Sequence, residues 1–439
     1  MWRSAQSSNL YSLSQPVGGL LGLGVCFHAE SDEPRLTIQT VRLGDLNRIW
    51  PSVKKSWPKS RSSIHGAGVG IDPKHCLTPA LGEGLERYCT GMYTEKQVIW
   101  ATAHELGGEA LDLDAIPRCS KAEMAHPRCF LVAPDKTAPM RWVRGLSLVD
   151  GRVLYLPITM VFLYTGVASR GERIWIQITT GCAAHTSFER ALLAGMLEVI
   201  ERDAISITWL QQLRLPRIEV DLVPPPLAAY WDRYQRSSKG LEYVFFDATT
   251  DVGVPTVYGL QISHANRRLT TLVSCCTAMN PVDAVAKVIR DMAACRVAFR
   301  GQRSTEVSGN DFSGLFDGAT FMARFEHACA FEFLLQSGNK RLLSKISALE
   351  FTDEKEALRM VLERFRRKGL DVYVVDLSTD EALRSGVRVV RVLVPGLQPF
   401  SFQYRAQYKG HRRLYDAPKE MGYPVHDEDQ LNTWPQPFA

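Results

Sequence analysis

The chain has 439 residues, 45% of them hydrophobic and 23% charged, with a formal net charge of +5. This is enough apolar material for a large core in one or two domains, and the basic excess is too small to argue for nucleic acid as a partner. The ten cysteines form no C-x-x-C pair and only Cys275-Cys276 are adjacent, which excludes zinc templates and secreted disulfide frameworks and points to a reducing cytoplasm.

In chain order, residues 1–60 form an opening segment of short β-like runs that lacks a charged-then-apolar targeting pattern. It ends in a basic patch, Lys54, Lys55, Lys59 and Arg61, of the kind found on solvated loops. A glycine-rich stretch, His65-Gly66-Ala67-Gly68-Val69-Gly70, leads through Asp72-Pro73 into a first acidic helix. Strand-like runs follow at 127–132 and 141–166. The most apolar of them, Val153 to Val167, is shorter than the ~20 residues of a membrane helix and contains Pro157, so it reads as one or two buried strands and no membrane association is expected. A strand at Ile174–Thr179 feeds Thr180-Gly181-Cys182 and a second acidic helix. Strands at Tyr243–Asp247 and Thr256–Ile262, helices at Val282–Phe299 and Lys355–Lys368, and strands at Val372–Asp376 and Val387–Val394 complete a mixed α/β pattern. The last forty residues read as polar and irregular, with prolines in a tail from about residue 430.

The two acidic helices carry the chemistry. The first contains Glu83-Gly84-Leu85-Glu86-Arg87 and the second Glu198-Val199-Ile200-Glu201-Arg202, each a Glu-x-x-Glu-Arg module with both carboxylates on one face and a guanidinium one turn beyond the first. Apolar residues (Ala191, Ala194, Leu197, Ile200 and Ala204) recur at helical spacing around the second pair, so its carboxylates border a buried face. Desolvated carboxylates without partners are very costly, so the pairs should meet cations. Two such helices face to face would cage several divalent ions and a polyphosphate.

Common nucleotide-binding motifs are absent. No G-x-x-x-x-G-K-[ST] loop occurs. Gly22-Leu23-Gly24 and Gly66-Ala67-Gly68 fail the dinucleotide fingerprint because Phe27 and Ile71 stand where the third glycine is needed. A nucleotide here must be held by metals and arginines.

The succession GAGVG…ALGEGLERYCTGM, WVRGLSLVDGRVLYLP, TTGCAAHTSFERALLAGMLEVIERDA and VVRVLVPGLQP resembles the YcaO superfamily over roughly residues 60 to 439. Its closing segment and tail look like those of the azoline-forming cyclodehydratases, which make thiazolines and oxazolines in ribosomal peptides. The resemblance implies a YcaO domain over 61–439 after an N-terminal segment, with ATP and Mg2+ as cofactors. It assigns Glu83, Glu86, Glu198 and Glu201 to magnesium, Arg202 to the phosphates and Arg87 to an electrostatic role beside the first pair. Asp291 and Arg296 match a later E-x-x-x-x-R helix, which makes Arg296 a second phosphate-binding candidate. The general base has two candidates, His185 ahead of the second acidic helix and the tail, whose Pro437 would stiffen the approach of a terminal carboxylate on Ala439.

The chain departs from the family pattern at Thr180, where many members have Asn, at Ala67, where a lysine is frequent, and at Glu189-Arg190, where two acids are usual. These positions are not assigned as ligands. Residues 1–60 are too short for a fused leader-peptide-binding module. The implied partners are therefore a precursor peptide, a separate ThiF-like leader-binding protein and a downstream flavin-dependent azoline dehydrogenase, and a homodimer would be unsurprising. Two alternatives stay open: the same fold using external sulfide or an internal amine to give a thioamide or macroamidine, and a non-catalytic scaffold subunit.

Overall fold

The structure is a computed structural model that describes residues 7–30, 33–44, 65–237, 240–301 and 312–438. The basic patch of Lys54, Lys55, Lys59 and Arg61 and the tail residue Ala439 lie outside the described residues. The chain folds as three β-sheets with helices between them.

The first sheet holds β1 (Val25–His28), β2 (Thr37–Arg42) and β3 (His65–Gly70), all antiparallel. Strands before residue 60 thus pair with the glycine-rich strand after it. The first acidic helix, α1 (Pro73–Cys89), follows at once. Asp72 caps it by accepting from Lys74 N at 2.9 Å, and Pro73 starts it with a preset φ. The glycines of β3 have a packing reason. A Cβ at Gly66 would overlap the Ala80 carbonyl oxygen and the Gly84 nitrogen, and one at Gly68 would overlap the Cys76 carbonyl oxygen. The strand lies directly on the helix backbone, a contact that only glycine permits.

A second sheet runs in the order β4 (Val98–Ala101), β5 (Met140–Ser147), β13, β14, β7, with β6 (Val153–Pro157) paired to β5. Here β7 is Cys182–His185, and the late strands β13 (Tyr373–Asp376) and β14 (Arg388–Leu393) sit at the centre. The second acidic helix, α2 (Phe188–Leu210), leaves β7 and is capped by Ser187. Both α1 and α2 pack on β7.

The third sheet has the order β11-β10-β9-β8-β12, built from β8 (Arg217–Glu219), β9 (Leu241–Asp247), β10 (Thr256–Ser263), β11 (Thr271–Thr277) and β12 (Lys340–Leu342). Helix α3 (Pro281–Arg300) packs on β10 and β11, and α2 also reaches β11. Helix α4 (Glu354–Arg367) packs on α2, and α5 (Arg413–Glu420) docks on α2 near its C-terminal half.

Several expectations need correction. Residues 127–132 and 174–179 are not strands. In 174–179 the backbone meets side chains, with Ile176 N donating to the Tyr408 hydroxyl at 2.8 Å and the Ile178 carbonyl accepting from Arg391 at 2.7 Å, and in 127–132 Val132 N donates to the Arg173 carbonyl at 2.8 Å. The apolar run 153–167 gives one strand, then a helical turn at Ile158–Val161 and a loop. Strand β11 had no counterpart in the sequence reading, and the last forty residues are not irregular throughout, since they contain α5 and end buried. No helix among the described residues is long and apolar enough to cross a membrane, and each of the ten cysteines is a free thiol.

The close approach of β3 and α1 yields a prediction. Gly68→Ala should lower unfolding free energy in urea by about 1–3 kcal/mol with an unchanged m-value, because the added methyl must push strand and helix apart.

Candidate active site

The two Glu-x-x-Glu-Arg modules are built alike. Glu83 accepts from its own i+4 residue Arg87 (Nε at 3.1 Å, Nη2 at 2.5 Å) and from Ala67 N of β3 at 2.7 Å. Glu198 accepts from its own i+4 residue Arg202 at 3.3 Å and from Gly181 N, just before β7, at 3.0 Å. In each module a backbone N–H of the chain beside the helix, from glycine-rich β3 in the first and from Gly181 before β7 in the second, reaches the first carboxylate. Gly181 has φ +83°, and a Cβ there would overlap the Val392 carbonyl oxygen.

The second carboxylate of each module is treated differently. Burial raises the pKa of Glu86 well above the usual carboxylate range, and Glu198 and Glu83 raise it further, against the opposing pull of Arg87 and Arg391. Burial likewise raises Glu201, which is 7% exposed; Lys287 and Arg202 oppose this while Glu198 adds to it. Glu201 accepts from Thr277 N at the end of β11 at 3.2 Å. Glu86 therefore feels an acid of the other helix, and both helices pack on β7.

Cations surround this space. Arg87 and Arg202 lose to burial but gain more from their own glutamates, and both stay firmly protonated. Two further cations come from elements outside the acidic helices. Arg391 of β14 is 1% exposed and donates to the carbonyls of Met160 and Ile178 and to Cys182 Sγ. Lys287 of α3 pairs with Asp291 at 2.7 Å and faces Glu201. Sequence signals for both existed: an arginine inside the apolar strand VVRVLV, and a Lys–Asp pair at i,i+4.

Arg296 is not brought to the carboxylates. It is 3% exposed and donates to Gln261 Oε1 at 2.7 Å and the Leu269 carbonyl at 3.1 Å. It stands nine residues beyond Lys287, about 13 Å along the helix. His185 is also elsewhere. It lies at the N-terminal end of α2, roughly 16 Å of helix rise before Glu198, where it accepts from Ser187 N and where burial and Arg190 push it down to about 4 despite Glu354.

The four glutamates that the resemblance assigns to magnesium remain candidate ligands. Among the described residues, no group of three or more His, Cys, Asp or Glu side chains stands together as a ready metal site. Glu83 and Glu198 are already engaged by arginine and backbone. What remains fits magnesium bound with a polyphosphate, because the ion takes few carboxylates and completes its shell with phosphate oxygens and water. Glu86 has two acids as neighbours, Glu201 has the Arg202 guanidinium at 3.7 Å and Lys287 nearby, and beside Gly181 the buried Thr180 Oγ1 has no hydrogen-bond partner among the described residues. A buried hydroxyl without a partner suits a site that takes a polar ligand.

The tail enters this region. Asn432 donates to the carbonyls of Leu210 and Trp209, and the Trp434 carbonyl accepts from Trp209 Nε1. Pro437 is buried and Phe438 stands edge-on to Tyr258, ring centroids 5.3 Å apart, and 6.5 Å from Phe400. The Arg202 guanidinium lies 5.7 Å from that same Phe400 ring. The tail thus reaches one aromatic layer from a module arginine.

A charged network ties α2 to the rest. Asp203, fully buried, accepts from Arg413 at 2.8 Å and from Gln398 N at 2.7 Å, so the VPGLQP segment and α5 are fastened to the residue after Arg202.

The sequence profile of the YcaO cyclodehydratase family, described as ATP- and Mg2+-binding, matches residues 67–398. The chain belongs to the YcaO family. An uncharacterised protein of Methanothermobacter thermautotrophicus is 26% identical over 370 residues, covering 80% of this chain and 86% of its own. Among solved structures, a heterocyclase in complex with substrate and cofactor superposes with a TM-score of 0.81 at 19% identity, covering 99% of this chain and 57% of the other. This YcaO chain thus spans a little over half the length of that heterocyclase. The YcaO protein of Methanopyrus kandleri bound with AMPPCP and Mg2+ superposes with a TM-score of 0.60 at 19% identity, covering 86% of each chain. At these identities the likeness establishes the YcaO fold.

The raised pKa of Glu86 gives a pH prediction. A carboxyl held above its unfolded pKa contributes stability below the ordinary carboxylate range, and this is lost as pH rises through the folded value. Glu86→Gln should therefore melt higher than wild type at pH 8 without metal, by about 2–4 °C, with the two curves converging near pH 5. Thermal melts across that range in chelator check it.

Proposed function

We propose that the chain is an ATP-dependent cyclodehydratase that converts Cys, Ser or Thr of a ribosomal precursor peptide to thiazoline or oxazoline. The observation that carries this is the convergence of Glu86 and Glu198 from opposite helices, ringed by Arg87, Arg202, Arg391 and Lys287. Such a space suits a triphosphate without any glycine-lysine loop.

The chemistry follows from the leaving group. A substrate thiol or hydroxyl attacks the preceding backbone carbonyl carbon, and the oxyanion formed cannot depart as hydroxide. Transfer of the γ-phosphoryl group of ATP to that oxygen makes phosphate the leaving group, and loss of the amide proton with phosphate closes the C=N bond. Phosphoryl transfer needs positioning and neutralisation of the equatorial oxygens. Magnesium, held by Glu86 and Glu201 with their partners Glu83 and Glu198, would supply part of that charge. Arg202 sits between Glu198 and Glu201 and is aimed by both, as a phosphate-directed guanidinium must be. Lys287, held by Asp291, is a better placed second cation than Arg296. For the base, His185 closes β7 at the far end of α2 from Glu198, and the buried tail through Pro437 remains the element that approaches the site. The partners that accompany this reading are a peptide substrate, a ThiF-like leader-binding protein and a flavin-dependent dehydrogenase acting later.

The reading is tested with Cys/Ser/Thr-rich precursor peptides, ATP and magnesium, following phosphate release and peptide mass. Loss of one water per ring with one phosphate released supports it. Exchange of an oxygen for a sulfur when sulfide is added would replace azoline formation by thioamide formation, and no ATP use with any peptide would leave a scaffold. Glu86→Gln and Glu201→Gln should each lower the rate on the order of 10²–10³.

A further inference from the structure

Arg202 is held less tightly by its acids than its counterpart in the first module. Arg87 places Nε and Nη2 on Glu83 at 3.1 and 2.5 Å. Arg202 reaches Glu198 at 3.3 Å and Glu201 at 3.7 Å, both longer than an ordinary N–H···O bond. Both acids are also candidate magnesium ligands, and a carboxylate that coordinates a cation has less charge left for a guanidinium. A further contact of Arg202 is neutral. Its guanidinium carbon lies over the Phe400 ring, 5.7 Å from the centroid. At this range the negative face of a ring attracts a cation, more strongly where water is kept out, and Phe400 is 3% exposed. A π face does not neutralise the guanidinium, so the positive charge stays available to a phosphate.

The ring is set by the same helix that carries the arginine. Phe400 closes the run Val394-Pro395-Gly396-Leu397-Gln398-Pro399 that follows β14. Two residues of α2 fix the backbone just before it. Asp203 accepts from Gln398 N at 2.7 Å, and Ser206 Oγ donates to the Pro399 carbonyl at 3.1 Å. Ser206 stands at i+4 from Arg202, on the same face of the helix. Asp203 is fully buried, and Arg413 grips it at two points, through Nε at 3.1 Å and Nη2 at 2.8 Å, which fixes its carboxylate. The place of the Phe400 ring is therefore set independently of Glu198 and Glu201.

We propose that Phe400 is a positioning residue: its ring holds the Arg202 guanidinium for the nucleotide phosphates, with Asp203 and Ser206 setting the ring. The proposal rests on the nucleotide reading of the site and adds to it a residue outside both acidic helices.

The test is calorimetric binding of Mg2+·AMPPCP to the full chain with mono-, di- and trifluorophenylalanine in place of Phe400. Each fluorine drains the negative face of the ring while its shape hardly changes, so a ring with a packing role alone would give one affinity throughout. Affinity should instead fall stepwise with the number of fluorines, about 5- to 30-fold across the series, while the melting temperature stays within about 2 °C. Phe400→Leu, which stays apolar but has no π face, should bind at least as weakly as the trifluorinated chain. Because Ser206 acts through the ring, Ser206→Ala should weaken binding on its own and add nothing to Phe400→Leu. One affinity across the fluorinated series, or additive losses in the Ser206→Ala/Phe400→Leu chain, would overturn the proposal. Failure of the wild-type chain to bind Mg2+·AMPPCP would instead remove the nucleotide reading, and this proposal with it.

Discussion

Like charges held together away from water are the constraint on which this structure turns. Glu86, with Glu83 and Glu198 as neighbours, and Glu201, with Glu198 and Asp291 nearby, are carboxyls whose charge the fold opposes. Burying carboxylates near one another is a cost that no hydrophobic contact offsets locally, and it is tolerated because the rest of the architecture holds the helices in place. Strand β7 separates α1 from α2 and gives each a common floor. The central strands β13 and β14, late in the chain, complete that floor and deliver Arg391 beneath it.

Close backbone approach is the device that aims the charges. Glycines at 66 and 68 let β3 lie against the backbone of α1, Gly181 lies against the backbone of Val392 in β14, and the N–H groups of Ala67 and Gly181 reach Glu83 and Glu198. The glycine-rich stretch near residue 66 thus acts on a carboxylate of its own chain. Its role is packing and orientation, and the absence of a phosphate-loop lysine is consistent with that. The first glutamate of each module is fixed by arginine and backbone, Glu86 is left among other acids, and Glu201 shares Arg202 with Glu198.

Much of this was legible in the chain. The paired Glu-x-x-Glu-Arg modules, the long helices at 281–300 and 354–367 and the strands at 373–376 and 388–393 follow from periodicity and spacing that local physics enforces. The segments at 127–132 and 174–179 misled because apolar, β-branched stretches look alike whether a neighbouring strand or a set of side chains receives their hydrogen bonds. The tail looked irregular because prolines and polar residues dominate it, yet Trp434, Pro437 and Phe438 pack inward against Trp209, Phe400 and Tyr258. His185 and Arg296 looked well placed in one dimension, and helix rise carries each of them away from the carboxylates.

By itself the sequence determined which helices would form, that each would bear two acids and an arginine on one face, and to which family the arrangement is similar. These are local matters, set by i,i+3 and i,i+4 geometry and by the apolar residues between. Only the tertiary structure decided that both acidic helices share β7, that Arg391 and Lys287 join them from distant elements, and that Glu86 is buried within reach of an acid on the other helix. Electrostatic energy depends on distance through space and on exclusion of water, and neither is written in the order of residues along the chain.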